Sequence, residues 1–256
     1  MMNEKRKLRA FFERNGGPLL ASINNIKIYT KKELDHITRN YSTVIGKGSL
    51  GEVYEGTTND NQIVAVKKLS TPVPHTSIYP EFKNFWEIRM KEFANEIKIQ
   101  AEIKHKNILR LLGCCLEVEI PMLVYEFAPR GSLCDVLHGT PRLPLPLQTR
   151  LDNAAESAAA LEYMHLSVAQ KIFHGDVKSG NILLDESFMP KVSDFGTSRL
   201  LSIEKMYAES VNAIADIEYL DPVYARGILN EKSNVYSYGI VLLELITRKK
   251  TIICRK

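Results

Sequence analysis

Cysteine is scarce in this chain of 256 residues: there are four, Cys114, Cys115, Cys134 and Cys254, and the adjacent pair has no matching Cys/His pair at zinc-ligand spacing. They read as reduced thiols in a cytosolic setting rather than as a metal site. No run approaches the roughly 18 uninterrupted apolar residues of a membrane-spanning helix, so no span is expected within the chain. Glycine (14) and proline (11) stay near ordinary usage, which excludes collagen-like and low-complexity classes. A large excess of one charge is missing too: 34 Lys/Arg face 30 Asp/Glu, a net +4. What is present, 45% hydrophobic and 25% charged residues, fits one or two globular domains with a sizeable core.

The charge is unevenly placed. Residues 1–40 carry nine Lys/Arg against four acids, a local +5, and the remaining 216 residues sum to −1. A near-neutral body argues against a nucleic-acid-binding domain, which would spread a basic stripe over its folded surface. Within the head, Leu8, Phe11 and Phe12 share one helical face opposite Lys5, Arg6 and Arg9. This basic amphipathic turn suits an anionic membrane surface at residues 1–14, and a frayed, solvated terminus is the alternative. The charges are not followed by an apolar run, so no signal peptide is expected. Asn15-Gly16-Gly17-Pro18 stops the helix.

Beyond Tyr29 the texture changes. Thr30 and Glu33 form a capping-box pattern opening a short helix to about Arg39. Val44-Ile45, Glu52 to Tyr54 and Gln62 to Val66 then read as the strands of an antiparallel meander. Phe93, Ile97 and Ala101 mark a helix to about Ile103, and Met122 to Phe127 reads as a buried strand. Ser70 to Met90, with three prolines and the only tryptophan, Trp86, reads as a loop. After Pro129-Arg130-Gly131 the pattern turns helical, at 132–138, roughly 147–166 and 234–247. The break near residue 128 separates a small sheet-rich lobe from a larger helical one.

Three motifs carry chemistry. In Gly46-Lys47-Gly48-Ser49-Leu50-Gly51-Glu52-Val53, glycines let backbone N–H groups close over phosphate oxygens. A strand rather than a helix follows, which excludes a dinucleotide-binding turn. Val64-Ala65-Val66-Lys67 places a lysine on an apolar strand, where it is either solvent-facing or a cation for phosphates held by an acid such as Glu96. Finally, His174-Gly175-Asp176-Val177-Lys178-Ser179-Gly180-Asn181 and, further on, Ser193-Asp194-Phe195-Gly196 put two carboxylates, an amide and a lysine in two loops between short apolar strands. Asp176 can accept a hydroxyl proton, Asn181 and Asp194 offer hard oxygens to Mg²⁺, and Lys178 can steady a moving phosphoryl group.

From about residue 41 to 249 these motifs, in this order, resemble a eukaryotic protein kinase domain. The wording of "LRLLGCCLE", "PMLVYEF", "HGDVKSGNILLD" and "EKSNVYSYGIVLLELITRKK" is similar to the cytoplasmic domains of plant receptor-like kinases, the wall-associated group in particular, and "KRKLRAFFERNGG" with "IYTKKELDHIT" resembles the stretch that follows their membrane span. The resemblance implies an α+β, two-lobed fold with a small antiparallel-sheet lobe and a mostly helical lobe lacking its last helices. It implies a basic juxtamembrane-like segment over 1–40, an N-lobe over 41–127 and a partial C-lobe over 128–256. Gly46, Gly48, Gly51 and Val53 would roof ATP, Lys67 with Glu96 would grip its phosphates, Ala65 and Leu183 would sandwich adenine, and the backbone from Glu126 to Ala128 would read its edge beside Tyr125. Asp176 would be the catalytic base, Lys178 the positioning lysine, and Asn181 and Asp194 the Mg²⁺ ligands. The implied activity is transfer of the ATP γ-phosphate to Ser/Thr hydroxyls of a protein substrate, at the cytoplasmic face of the plasma membrane. A nucleotide-binding pseudokinase or scaffold is the alternative.

Departures from the kinase pattern set further expectations. Gly175 replaces the arginine that pairs with a phosphorylated activation loop, so that control is absent. Leu50 replaces an aromatic at the glycine-loop tip, and Gln100 an apolar residue one turn after Glu96, which would loosen an internal stack. Asp216 stands where a threonine usually bonds the catalytic aspartate, Val223 replaces a glutamate, and Asn234 replaces a helix aspartate, leaving one backbone donor short of an acceptor. The chain stops soon after Thr247, so Ile240, Leu242, Leu243 and Leu245 are expected to lack part of their cover. Thr197, Ser198, Ser202, Tyr207 and Ser210 are candidate phosphorylation sites.

Overall fold

The computed structural model describes residues 2–21, 25–48, 51–69, 81–140, 144–167, 170–201, 208–209, 217–222, 228–229 and 231–250. The chain divides into two compact units, residues 1–97 with 110–127, and residues 98–109 with 128–256.

The first unit begins with α1 (Met2–Arg14), whose Leu8, Phe11 and Phe12 are half-buried while Lys5, Arg6, Lys7 and Arg9 stay exposed. Lys7 and Arg14 cover the Phe11 ring at 5.6 and 4.9 Å. The helix ends where the Asn-Gly-Gly-Pro sequence demands, but Asn15 does more than stop it. Its buried amide donates to the carbonyls of Leu116 (2.9 Å) and Val118 (2.8 Å), pinning the end of α1 to the body of the unit. After α2 (Gly17–Leu20) come β1 (Lys27–Tyr29) and α3 (Lys31–Ile37). The capping box forms as its residues require: the Glu33 N–H donates to Thr30 Oγ1 (3.1 Å) and the Thr30 N–H to Glu33 Oε2 (2.7 Å).

A sheet follows, built from β2 (Val44–Gly48), β3 (Gly51–Thr57) and β4 (Ile63–Leu69), then, after α4 (Glu81–Glu102), from β5 (Leu111–Cys115) and β6 (Met122–Glu126). Its six strands run in the order β1-β5-β6-β4-β3-β2. All pairings are antiparallel except β1 with β5, which is parallel, so the head adds an edge strand to what the sequence reads as a plain meander. Gly113 permits this, because a Cβ there would collide with the Lys27 carbonyl and the Tyr29 ring. Tyr29, Leu34 and Ile37 are buried in the same apolar cluster as Val64, Val66, Cys115, Met122 and Val124. Part of the basic head is therefore core of this unit.

Helix α4 starts at Glu81, which corrects the loop reading of residues 81–90; residues 70–80 lie outside the described part. The physical reason is that Pro80 is the last proline before Pro121 and no glycine intervenes before Gly113, so helix can begin one residue after the breaker.

Between α3 and β2 three successive residues adopt left-handed backbone: Arg39 (φ +49), Asn40 (+55) and Tyr41 (+58). The turn is over-determined, because the Tyr41 N–H donates to Thr38 Oγ1 (3.0 Å) and the Tyr41 ring meets Tyr54 edge-on at 5.3 Å. A left-handed β-branched residue costs roughly 1–2 kcal/mol, a penalty that glycine escapes. Exposed Arg39 is therefore expected to accept glycine with unchanged or slightly raised stability and to lose about 1–2 kcal/mol as Arg39→Val, read from urea midpoints. Equal midpoints for the two variants would show that the turn stores no strain.

The second unit contains α5 (Leu133–His138), α6 (Leu147–Glu162), which widens into a π turn at Tyr163–Ser167, the short strands β7 (Lys171–Phe173), β8 (Ile182–Leu184), β9 (Pro190–Val192), β10 (Arg199–Leu201), β11 (Ala208–Glu209) and β12 (Ile228–Leu229), and α7 (Glu231–Thr247). The strands pair two by two: β7 with β10, β8 with β9, β11 with β12. Its core gathers Leu133, Leu137, Met164, Ile172, Val177, Ile182, Phe195 and Val241. Leu245 is 2% exposed and Ile240 and Leu242 pack partly against that core, so the expected uncovered face of α7 narrows to Leu243 (50%) and Ile246 (58%), with Val235 and Tyr236 also exposed nearer its start.

Candidate active site

In the first unit, Gly46 and Gly48 sit on β2, opposite Val53 and Gly51 of β3. Gly51 has φ +147, and a Cβ on it would strike the Lys68 carbonyl; only glycine lets β3 lie this close to β4. Ser49 and Leu50, the loop tip, lie outside the described residues. Strand β4 carries half-buried Ala65 and Lys67 in register with Tyr125 and Leu123 of β6. Lys67 Nζ stands 3.9 Å from Glu96 Oε2 of α4, with side-chain exposures of 15% and 3%. The expected lysine–acid pair is thus formed. A carboxylate buried this deeply needs more than one partner, and the Tyr125 hydroxyl supplies another by donating to Glu96 Oε1. Glu126, the last residue of β6, donates its N–H to the Arg110 carbonyl (3.0 Å), and in the second unit the Ala128 carbonyl accepts from the Gly131 N–H (3.3 Å).

In the second unit, β7 delivers the chain into the loop His174 to Asn181. His174 is fully buried. Its Nε2 bonds the Ser193 carbonyl (2.9 Å) and its Nδ1 accepts the Asp176 N–H (3.3 Å), so the ring is neutral with its proton on Nε2, and burial pushes its pKa down. Asp176 Oδ2 is held by Lys178 Nζ (2.9 Å) and by Asn181 Nδ2 (2.9 Å), and Asn181 Nδ2 also bonds the Asp176 carbonyl (2.8 Å). Asp176, Lys178 and Asn181, expected as base, positioning cation and metal ligand, are one hydrogen-bonded group.

The pairing of β8 with β9 brings the second loop to this group. The Ser193 N–H and hydroxyl both donate to the Asn181 carbonyl (2.8 and 2.9 Å), which sets Asp194 beside Asn181. Asp194 is left-handed, at φ +68. Because Asn181 Nδ2 is committed to Asp176, the amide oxygen is the atom left to face a cation. One amide and one carboxylate oxygen, with phosphate oxygens completing the shell, is a donor set that suits Mg²⁺. Leu183, on β8, is half-buried.

Two polar departures find partners. Gln100 Nε2 donates to the Leu109 carbonyl (3.0 Å). Asn234 is bonded on both sides: its Oδ1 accepts the Gly175 N–H (3.1 Å), and its Nδ2 meets His165 Nε2 (3.0 Å). Ser198, a candidate phosphorylation site, is buried and donates to the His174 carbonyl (3.0 Å), which corrects that expectation. Asp216, Val223, Ser202, Tyr207, Ser210 and the Thr197 side chain lie outside the described residues.

Sequence reasoning missed a buried network behind the loop. Glu244 of α7, wholly buried, bonds His138 Nε2 (2.9 Å) and accepts the Tyr219 hydroxyl (2.8 Å), which in turn meets Ser179 Oγ (3.0 Å), next to Lys178. Burial, and then Glu244, push the Tyr219 phenol up, while the Ser179 bond pulls it down. The available signal was a lone acid in the apolar run Ile240 to Ile246.

A paired lysine and glutamate behind a glycine turn, with an aspartate–lysine–asparagine group beside a left-handed aspartate, define a phosphoryl-transfer domain of the protein kinase kind. Residues 40–254 match the family model described as protein tyrosine and serine/threonine kinase, and the chain belongs to the protein kinase family. It is similar to three proteins of Arabidopsis thaliana. Wall-associated receptor kinase-like 4 is 41% identical over 95% of this chain and 32% of its own length. Wall-associated receptor kinase 1 is 41% identical over 96% and 33%. Putative wall-associated receptor kinase-like 16 is 40% identical over 97% and 57%. The chain thus spans between about a third and somewhat over half of these relatives.

Proposed function

We propose that the chain is an ATP-dependent protein serine/threonine kinase acting in receptor-type signalling at the cytoplasmic face of the plasma membrane. The observation that supports this best is the Asp176–Lys178–Asn181 group tied through Ser193 to Asp194. Asp176 Oδ2 is held by two partners, so its carboxylate is oriented to take the proton of a substrate hydroxyl as the phosphoryl group leaves ATP. Lys178 neutralises charge beside it, and Lys67, steadied by Glu96, grips the nucleotide phosphates. Asn181 and Asp194 would hold Mg²⁺, which when bound supplies charge neutralisation on the phosphates. The remaining contribution is positioning, since no covalent intermediate is needed.

The test pairs two measurements on the whole chain. Mg²⁺-ATP is expected to raise the melting temperature, and a Ser/Thr peptide library to be phosphorylated. Stabilisation without transfer would favour the nucleotide-binding scaffold, and neither result would defeat the nucleotide site itself.

The same reading extends to α1. Its apolar residues are half-buried, and its free face is basic, which favours contact with an anionic bilayer through charge rather than insertion. Binding to phosphatidylserine vesicles that disappears in high salt is expected; salt-resistant binding would indicate insertion.

A further inference from the structure

The Asn234 amide lies between two groups with opposite demands. The Gly175 N–H, in the loop that carries Asp176, needs an acceptor and receives Oδ1 at 3.1 Å. That leaves Nδ2, a donor only, facing His165 Nε2 at 3.0 Å. The contact is a hydrogen bond only if Nε2 is bare, with the imidazole neutral and its proton on Nδ1. His165 belongs to the π turn that ends α6, and its ring rests on Phe173 of β7 at 5.7 Å, one residue before His174. An imidazolium has N–H groups on both nitrogens, so a protonated His165 would set donor against donor. The amide can relieve that only by turning its oxygen to His165, which presents its NH₂ group to the Gly175 N–H.

We propose that Asn234 and His165 form a proton-sensitive latch on the catalytic loop: neutral His165 holds the amide in the orientation that anchors Gly175, and protonation reverses the amide and frees the loop. Asn234 and His165 are positioning residues in this arrangement, acting on Asp176 through Gly175. A carboxylate at 234 would accept from both neighbours and would lack the switch, so the latch belongs to the asparagine that this chain carries.

The surroundings set the latch in its holding state near neutrality. Desolvation lowers the His165 pKa, Lys171 of β7 and His174 lower it further, and Glu231, at the start of α7, opposes them. With the folded value below the unfolded one, the neutral ring persists at neutral pH, and the latch opens as pH falls through the folded value.

The effect on phosphotransfer rests on the kinase reading; the latch does not, and its test needs no turnover. In the ¹⁵N-labelled chain, long-range histidine spectra, assigned with His165→Gln, are expected to show the His165 proton on Nδ1 near pH 7.5. The Gly175 amide protection factor is expected to fall roughly tenfold or more as pH is lowered to the point where the same spectra show His165 doubly protonated. In Asn234→Asp, His165 is expected to carry its proton on Nε2, and Gly175 protection to stay level over the same range. If the chain transfers phosphate, the acid limb of its rate profile should move to lower pH in that variant. A wild-type His165 protonated on Nε2 at neutral pH, or Gly175 protection unchanged while His165 takes up its second proton, overturns the latch whether or not the chain is an active kinase. Because both readings come from the wild type, a variant that fails to fold leaves the test intact.

Discussion

Asp176→Asn is expected to lower phosphotransfer by about 10²–10⁴-fold while Mg²⁺-ATP stabilises the variant as it does the wild type. The amide is isosteric with the carboxylate, so the loop keeps its shape, but it cannot take a proton and no longer balances Lys178, whose Nζ lies 2.9 Å from Asp176 Oδ2. A loss made only in the transition state reduces kcat and kcat/KM together, and the KM for ATP should change little. Less than a tenfold fall would place the base elsewhere. A matching fall in nucleotide stabilisation would mean that the substitution had disturbed the site's architecture rather than its chemistry.

Glu244→Ala is expected to destabilise the second unit by about 3–5 kcal/mol, because buried hydrogen-bond partners lose their acceptor at about 1–3 kcal/mol each and a void is added. Glu244 is wholly enclosed, and its two oxygens are the acceptors for His138 and Tyr219. Truncation would take the acceptor from His138, leave the Tyr219 hydroxyl with Ser179 alone, and open a buried void beside them. Glu244→Gln retains the shape and one acceptor and is expected to lose about 1–3 kcal/mol. Urea unfolding followed by circular dichroism reads the difference, since the only tryptophan, Trp86, lies in the first unit. Equal losses for the two variants would show that the charge of the side chain matters and its volume does not. The Tyr219 hydroxyl also touches Ser179, so the alanine variant should disturb the loop around Lys178 before it unfolds the unit.

The chemistry-bearing residues were legible because phosphoryl transfer restricts which side chains can serve and how far apart they lie along the chain. Lys67 and Glu96 pair as anticipated, and Asp176, Lys178 and Asn181, nominated for separate roles, form one bonded group. Less legible was everything that depends on partners far away in sequence. A three-residue strand such as Lys27–Tyr29 has too short a pattern to announce itself, and its neighbour is 86 residues on, at Gly113 to Cys115. The departure at Asn234 was visible, yet its second partner was not: counting acceptors on the asparagine leaves out His165, 69 residues earlier, which gives the amide nitrogen a bond. Gln100 teaches the same lesson through the Leu109 carbonyl.

Sequence settled the family, since glycine spacing, one lysine and two acidic loops form a pattern that survives without knowledge of packing, and it nominated the reactive groups. Folding in three dimensions decided which polar atoms are paired: the Tyr125 hydroxyl on Glu96, the enclosed Glu244, and the Asn234 amide between a loop N–H and an imidazole. A buried donor or acceptor is satisfied or orphaned according to what lies within about 3 Å of it. That neighbourhood is a property of the folded chain, not of the order of its residues.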